Sequence, residues 1–291
     1  MDSDAVTRLG VAIQVVLYDS VPKLRKLLRA LSQLDVTGLE VRLRFWDNTP
    51  GSGARELVMN DPPALAVDFL ESDAGNLGFG PAHNRLARSF GYDSEYILAL
   101  NPDTIPFHDL LQRLVEVAEN RPDAALVEAA QFPVEHQKAF DDRGLTNWCC
   151  ATCLLLRTSV FRDLGGFGER IFLYCEDVDL SWRSWLAGHC CLYVPAAKCV
   201  HISQEEDIGK DRSVEIFHME LGNLYLRAKY FGRGAVADHI DYLRPRFGVE
   251  FLERLAAEFK RIDPGNAASV KHPRIEIMPD HVNYAPVRWT P

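Results

Sequence analysis

Short apolar runs alternate with helical periodicity through the first half of the chain. Residues 11–18 (VAIQVVLY) are apolar but for one glutamine, the pattern of a strand covered on both faces. Over 21–34, Leu24, Leu27, Leu28 and Leu31 recur at helical spacing. Residues 41–46 (VRLRFW) alternate like a strand and run into the turn Asp47-Asn48-Thr49-Pro50-Gly51. The same pattern predicts a short helix over 54–59, a strand over 66–70, and a helix over 81–90. A strand over 96–100 is stopped by Asn101-Pro102-Asp103, and a helix over 107–120 and a strand over 124–129 follow. Such alternation builds a mostly parallel sheet with helices on both faces. Sheets of this kind bind ligands in the crevice beyond the carboxyl ends of their strands. Tyr18-Asp19, Asp47-Asn48, the 73–84 segment and Asn101-Pro102-Asp103 all follow strands, so the fold brings them to one edge.

The second half is less regular. A polar loop over 132–146 precedes a buried strand (CLLLR) within 152–161 and a glycine-rich turn at 165–168. A helix over 176–186 ends at Gly188. A strand over 190–194, a short strand ending at His201 and an amphipathic helix over 217–231 follow. From 262 onward the chain is Pro-containing and weakly patterned, as a surface tail is.

Composition narrows the class. With 47% hydrophobic and 25% charged residues among 291, the chain reads as an ordinary globular protein. Its 41 acidic against 32 basic residues argue against binding to a nucleic-acid backbone, which needs dense Lys and Arg. No window approaches ~18 consecutive apolar residues, the length a membrane-spanning helix needs. Residues 1–7 are acidic and do not form a secretory signal. Seven clustered cysteines, an odd number, suit a reducing compartment. The expectation is a cytoplasmic protein. Cys150 and Cys153 form a CxxC with no second pair at matching spacing, so they read as small buried side chains.

Three segments carry candidate chemistry. Gly75-Asn76-Leu77-Gly78-Phe79-Gly80-Pro81 enters a helix, but it matches neither the GxGxxG fingerprint nor a Walker loop. Backbone amides at such a start can hold an anion, with Asn76 and Asn84 in reach, although an ordinary tight turn has the same composition. Leu98-Ala99-Leu100-Asn101-Pro102-Asp103-Thr104 presents a carboxylate at a strand tip. Asp103 there suits a hard divalent ion shared with substrate phosphates, and an Asx-turn is the plainer alternative. In Glu176-Asp177-Val178-Asp179-Leu180-Ser181-Trp182-Arg183, two carboxylates open a helix behind the aromatics of 172–174. Helix-dipole stabilisation explains acidic residues there without catalysis, and a carboxylate walled off from water can also serve as a general base. Asp179 and Arg183 are an i,i+4 pair, the usual sign of a structural contact.

In this order, NLGFGPAHN at 76–84, LNPDT at 100–104, GGFGER at 165–170 and EDVDLSWR at 176–183 resemble the family 2 glycosyltransferases of GT-A fold, close to the rhamnosyltransferase-like branch. The resemblance covers about residues 10–230. It implies an α/β GT-A domain with a mostly parallel sheet flanked by helices. A Rossmann-like nucleotide-sugar-binding half spans 1–130 and is fused to an acceptor-binding, catalytic half over 131–235, with a C-terminal helical segment and tail over 236–291. It also implies donor contacts from Tyr18, Asp19, Asp47, Asn76, Gly78, Asn84, Asn101 and Asp103. Asp177 becomes the base on the acceptor hydroxyl, with Trp148 and Glu176 on the acceptor side. Asp103 and His201 become ligands of Mg2+ or Mn2+. A lone histidine is otherwise most often a packed surface residue. The implied donor is a nucleotide-diphosphate sugar, dTDP- or UDP-linked. The implied acceptor is a saccharide or lipid-linked saccharide of a cell-surface polysaccharide, and rhamnose is the sugar that the branch suggests.

The chain departs from the family pattern at Asn101, where a second carboxylate is usual, at Gly168, usually Asp, and at Ala151, usually Gly. The acidic segment 204–207 replaces a run of small residues. These departures bear mostly on the acceptor side. A nucleotidyltransferase would carry a glycine-rich loop after the first strand, where LYDSVPKL stands instead. A non-catalytic sugar-binding relative would not need both Asp103 and Asp177. Basic residues among aromatics over 225–261 suggest a peripheral contact with an anionic leaflet, against the alternative of a solvated helical surface.

Overall fold

The structure, a computed structural model, describes residues 8–133, 135, 139–202, 212–265 and 270–275. The acidic segment 204–207 and the end of the expected tail, 276–291, lie outside the described residues. The chain runs β1 (Leu9–Leu17), α1 (Val21–Leu31), β2 (Leu39–Asp47), α2 (Ala54–Asn60), β3 (Ala66–Glu71), α3 (Phe79–Ser89), β4 (Tyr96–Leu100), β5 (Thr104–Pro106) and α4 (Leu110–Asn120). It continues with β6 (Ala124–Phe132), β7 (Cys153–Arg157), α5 (Thr158–Asp163), α6 (Glu176–Leu186), β8 (Cys190–His201), α7 (Ser213–Tyr230), α8 (Arg233–Leu243) and α9 (Val249–Ile262).

One eight-stranded sheet has the order β3-β2-β1-β4-β7-β6-β8-β5. The pairings β1–β2, β1–β4, β2–β3 and β6–β8 are parallel; β7 runs against both its neighbours and β5 against β8. The sheet is therefore parallel through its first four strands and mixed beyond them. Period-two alternation decides which layer each side chain joins. Val11, Ile13, Val15 and Leu17 of β1 pack in one core with α1 and α4. Ala12 faces a second core that includes α5 and α6 side chains, and Val16 a third with Ala82 and Leu86 of α3. Gln14 shares that second face. It is fully buried and its Oε1 lies 3.0 Å from His83 Nδ1, so the one polar break in the strand has its partner on α3.

Two strands differ from the sequence pattern, and the six-residue helix α5 was not expected from it. β5 is three residues long, too short to show a period. The expected strands at 190–194 and up to His201 are one, β8, with a break in its pairing register to β6 between Ala129 and Ala130. All seven cysteines are buried and no disulfide joins any of them. No helix among the described residues is long and apolar enough to cross a membrane.

The C-terminal helices turn part of the expected basic, aromatic face inward. Tyr225 and Tyr230 are buried, and so is Arg227. Lys229 reaches inward to Asp179, 2.6 Å away. Arg233, Arg244 and Arg261 pair with Asp263, Asp241 and Glu258, and Arg254 lies over the Phe217 ring. Spacing along the sequence could not show that these cations are already committed to partners within the protein.

Candidate functional site

The site read from the sequence lies where β4 ends and β7 begins. Leu100 pairs with Cys153, and the Asn101 N–H donates to the Thr152 carbonyl at 2.9 Å. One residue earlier, the Ala151 N–H donates to Asp177 Oδ2 at 3.0 Å. Asp177 Oδ1 accepts from the Val178 N–H at 2.8 Å. Two backbone amides, those of Asn101 and Ala151, thus link the strand tip that precedes Asp103 to the helix start that carries Asp177 through residues 151–152. The family departure at Ala151 is neutral here, because the contact uses the backbone.

Asp103 is flanked on both sides. Its Oδ1 lies 3.4 Å from His201 Nε2, and its Oδ2 lies 3.5 Å from Lys23 Nζ. His201 arrives because β8 pairs antiparallel with β5, which puts it opposite Thr104. The backbone carbonyl of Asn101 accepts from the Thr104 N–H and hydroxyl, at 3.2 and 2.7 Å, which closes the turn. Among the described residues no three His, Cys, Asp or Glu side chains converge as a complete metal cage. Asp103 and His201 alone fit two neighbouring positions of one shell, since ligands at about 2.1 Å from an ion sit about 3 Å apart. A small divalent ion held by one carboxylate usually takes its remaining ligands from phosphates and water.

Asp47 ends β2 and is almost fully buried. Its carboxylate accepts from the Thr49 N–H at 2.8 Å and the Ser52 hydroxyl at 3.1 Å, which shapes the turn after the strand. Tyr18 is exposed, and Asp19 sits in the left-handed region with φ 47° and donates its N–H to Thr49 Oγ1. The two post-strand turns are therefore tied to each other. Asn48, which the sequence places at this edge without a role, ties in the third: its Oδ1 accepts from the Leu77 N–H at 3.1 Å, and its amide donates to the Gly78 carbonyl at 3.2 Å. Asn76 Oδ1 accepts from the Gly78 N–H.

Gly78 is where the two halves touch. Its φ is 87°, and a Cβ there would lie 2.2 Å from the Phe172 carbonyl oxygen, the same oxygen that accepts from the Phe79 N–H at 3.0 Å. Asn84, expected against the donor, is instead a brace. It is buried, donates to the Phe167 carbonyl at 2.9 Å and accepts from the Phe167 N–H at 2.8 Å. Trp148, expected on the acceptor side, is also mostly interior, in the apolar cluster with Cys175, Val178 and Trp182.

The start of α6 is a strained turn. Tyr174 and Cys175 have φ of 64° and 71°, and neither is glycine. Consecutive left-handed residues of this kind cost about 1–3 kcal/mol each and persist only where packing holds them. Gly222 of α7 supplies that packing: a Cβ on it would lie 2.7 Å from the Tyr174 carbonyl oxygen and 2.8 Å from Cys175 Cβ. The sequence signal was a lone glycine inside a helical pattern.

The three carboxylates of α6 have separate environments. Glu176 is buried, and its Oε2 has no hydrogen-bond partner. Burial, and then the Asp177 charge, hold it well above the usual carboxylate range and favour its neutral form. Asp177 is only partly buried. Asp179 is fully buried and bonds to Lys229 Nζ (2.6 Å), the Tyr230 hydroxyl (2.8 Å) and Arg183 Nε (2.8 Å). Burial pushes its pKa up, but these partners outweigh it and keep Asp179 ionised. Arg183 continues the brace to the Leu164 and Gly166 carbonyls. At Gly168, a Cβ would lie 3.1 Å from Asp179 Oδ2, so a side chain there would crowd this hub.

No protein-family model matches the chain. It is 26% identical over 244 residues to the N-acetylglucosaminyl-diphospho-decaprenol L-rhamnosyltransferase of Mycobacterium tuberculosis, covering 68% of this chain and 78% of that protein. It is 28% identical over 200 residues to rhamnosyltransferase WbbL of Escherichia coli, covering 56% of this chain and 74% of the relative. Among solved structures it is similar to S. aureus TarS 1–349 in complex with UDP, with a TM-score of 0.62 and 12% identity over 88% of this chain and 81% of that one. It is also similar to the mannosyltransferase PcManGT of Pyrobaculum calidifontis in complex with GDP-Man and Mn2+, with a TM-score of 0.55 and 18% identity over 87% and 80%. The fold is that of the GT-A glycosyltransferases. The resemblance to the rhamnosyltransferase-like branch of family 2, read from the motifs, is borne out by the two relatives.

Proposed function

We propose that this protein is a glycosyltransferase that moves a sugar from a nucleotide-diphosphate donor to a hydroxyl of a saccharide acceptor, in the synthesis of a cell-surface polysaccharide. The observation that carries the reading is the backbone link that sets Asp177 beside the Asp103 strand tip. The reaction needs a base for the acceptor and a charge sink for the leaving group, and this link supports reading Asp177 as the first and Asp103 as part of the second. L-rhamnose as the sugar, dTDP or UDP as the nucleotide and a lipid-linked saccharide as the acceptor are supported by the names of the relatives.

Asp177 takes the proton from the acceptor hydroxyl as the oxygen attacks the anomeric carbon. The carboxylate is oriented for this role by the amides of Ala151 and Val178. One displacement without a covalent intermediate inverts the anomeric centre. Asp103 and His201 would hold Mg2+ or Mn2+, which when bound neutralises charge developing on the diphosphate. Asp47, Asn48, Asn76 and Gly78 shape the nucleotide side of the crevice, and Phe172 closes it toward the acceptor. In this reading residues 1–130 form the nucleotide-sugar half, 131–235 the acceptor half and 236–291 the C-terminal segment. The protein works on the cytoplasmic side of the membrane that carries the acceptor.

The test is nucleotide release from a panel of nucleotide sugars, with lipid-linked and free saccharide acceptors, with and without Mn2+. Acceptor-dependent release from one donor is the expected result. Release of pyrophosphate from a sugar phosphate and a nucleoside triphosphate would instead make the protein a nucleotidyltransferase.

A further inference from the structure

Lys23 belongs to no motif of the chain, yet it occupies the centre of the proposed leaving-group site. It stands in the first turn of α1, which packs along β5. That placement carries its ammonium across the strand tips to within 3.5 Å of Asp103 Oδ2, on the opposite oxygen from His201. Asp103 and His201 are each 13% exposed and Lys23 30%, so the contact sits in the crevice and not on open surface. The neighbouring position where a second carboxylate is usual is Asn101, an uncharged residue. Among the described residues, the site therefore sets one carboxylate against one ammonium.

This arrangement has a consequence for loading. A divalent ion approaching Asp103 alone meets a carboxylate already paired and an ammonium that repels it. A diphosphate approaching alone meets an ammonium turned toward a carboxylate that repels it. If both arrive, each charge gains a partner of opposite sign: the ion sits on Asp103 and His201, and the ammonium turns to the phosphate oxygens. An ion pair of this partial exposure is weak enough to exchange, and a lysine head on a flexible stem suits the movement as a point charge for phosphate. We infer that Lys23 is a ligand of the donor diphosphate that, in the free protein, occupies Asp103 and so makes metal and diphosphate enter together. The inference rests on the glycosyltransferase reading above.

The experiment compares wild type, Lys23→Gln and Lys23→Arg in two titrations. Mn2+ alone is followed by the loss of the free-ion paramagnetic signal, and UDP, dTDP and GDP are each titrated calorimetrically with and without Mn2+. In Lys23→Gln, Mn2+ alone should bind several times more tightly, because the competing ammonium is gone. The nucleoside diphosphate that wild type binds should bind about ten- to a hundredfold more weakly in the presence of Mn2+, the range for losing a charged hydrogen bond. Lys23→Arg should restore diphosphate binding to near wild type. Changes of opposite sign for the two ligands are the signature, since a merely misfolded site would lose both. Unchanged diphosphate affinity in Lys23→Gln, or Mn2+ binding that weakens with it, overturns the assignment. Failure of wild type to bind any of the three diphosphates removes the donor reading itself, and the role of Lys23 with it.

Discussion

The two sides of the crevice are built on different principles. On the donor side, Asp47, Asn48, Asn76 and Gly78 sit in turns after strands, and their contacts are short-range hydrogen bonds among those turns. On the acceptor side, Glu176, Asp177 and Asp179 share one helical turn, and their differences come from distant elements: Ala151 for Asp177, α7 for Asp179, and burial for Glu176. A parallel sheet places a donor site by topology alone. An acceptor site on a mixed sheet has to be assembled by side chains that reach between elements, and its residue types say less about their roles. Two aspartates two positions apart show the contrast. Asp177 is partly open and held by backbone amides, whereas Asp179 is fully buried and held by two cations and a phenol.

Substituting these two aspartates separates catalysis from assembly. Asp177→Asn should lower sugar transfer by about 10²–10⁴-fold, the usual cost of losing a general base. Donor binding should stay near wild type, and stability should fall by about 1–3 kcal/mol at most, because asparagine offers one oxygen to the two amides at Ala151 and Val178 and turns its NH2 toward the other. Transfer within tenfold of wild type would take the base role away from Asp177. Asp179→Ala should do the reverse. Removing one member of a buried charged cluster costs about 3–5 kcal/mol, since Lys229 and Arg183 lose their shared carboxylate. Denaturant unfolding measures this directly, and a loss below about 1 kcal/mol would mean that the cluster is not a structural hub.

The halves are also predicted to communicate through glycines. Gly222→Ala puts a methyl group within 2.8 Å of Cys175 Cβ and 2.7 Å of the Tyr174 carbonyl oxygen. The turn ahead of Asp177 has to shift, and such overpacking typically costs about 1–3 kcal/mol. Transfer should fall by at least about tenfold while nucleotide affinity stays unchanged. A fall in both would show that the α6 start and the Gly78 loop move as one body through Phe172.

Much of the donor side was legible from the sequence because its signals are local. Apolar runs gave β1 to β4 nearly to the residue, and the turn residues after them gave the edge. Asn84 was misleading: a polar residue near a glycine loop looks like a ligand contact, and only the 83-residue separation to Phe167 makes it a brace. The hub at Asp179 was half visible. Its partner Arg183 is four residues away, but Lys229 and Tyr230 lie 50 and 51 residues away and have no spacing rule to reveal them. Gly222 and Lys23 were missed for the same reason. Each matters through what a different element places against it.

The smallest effect expected concerns Glu176, the third carboxylate of that turn. Its neutral form is favoured by burial and by the charge of Asp177, so its folded pKa lies well above the ordinary 4.5. Below that ordinary value the acid is protonated in both the folded and unfolded chain, and the stabilisation is complete. As the pH rises above it, the unfolded chain releases the proton while the folded protein retains it, so stability declines until the folded pKa is passed. Glu176→Gln keeps the shape and cannot ionise, so its stability should lack this decline. Thermal midpoints of the two proteins, measured in steps from about pH 4 to about pH 9, should therefore diverge with rising pH, the variant becoming relatively more stable. The comparison isolates one group, because His83, whose buried ring is neutral with a pKa lowered to about 3, adds its own pH dependence equally to both. Parallel curves would mean that Glu176 is ionised in the fold. The crevice would then carry two negative charges at the α6 start, and the single-base assignment to Asp177 would have to be shared between them.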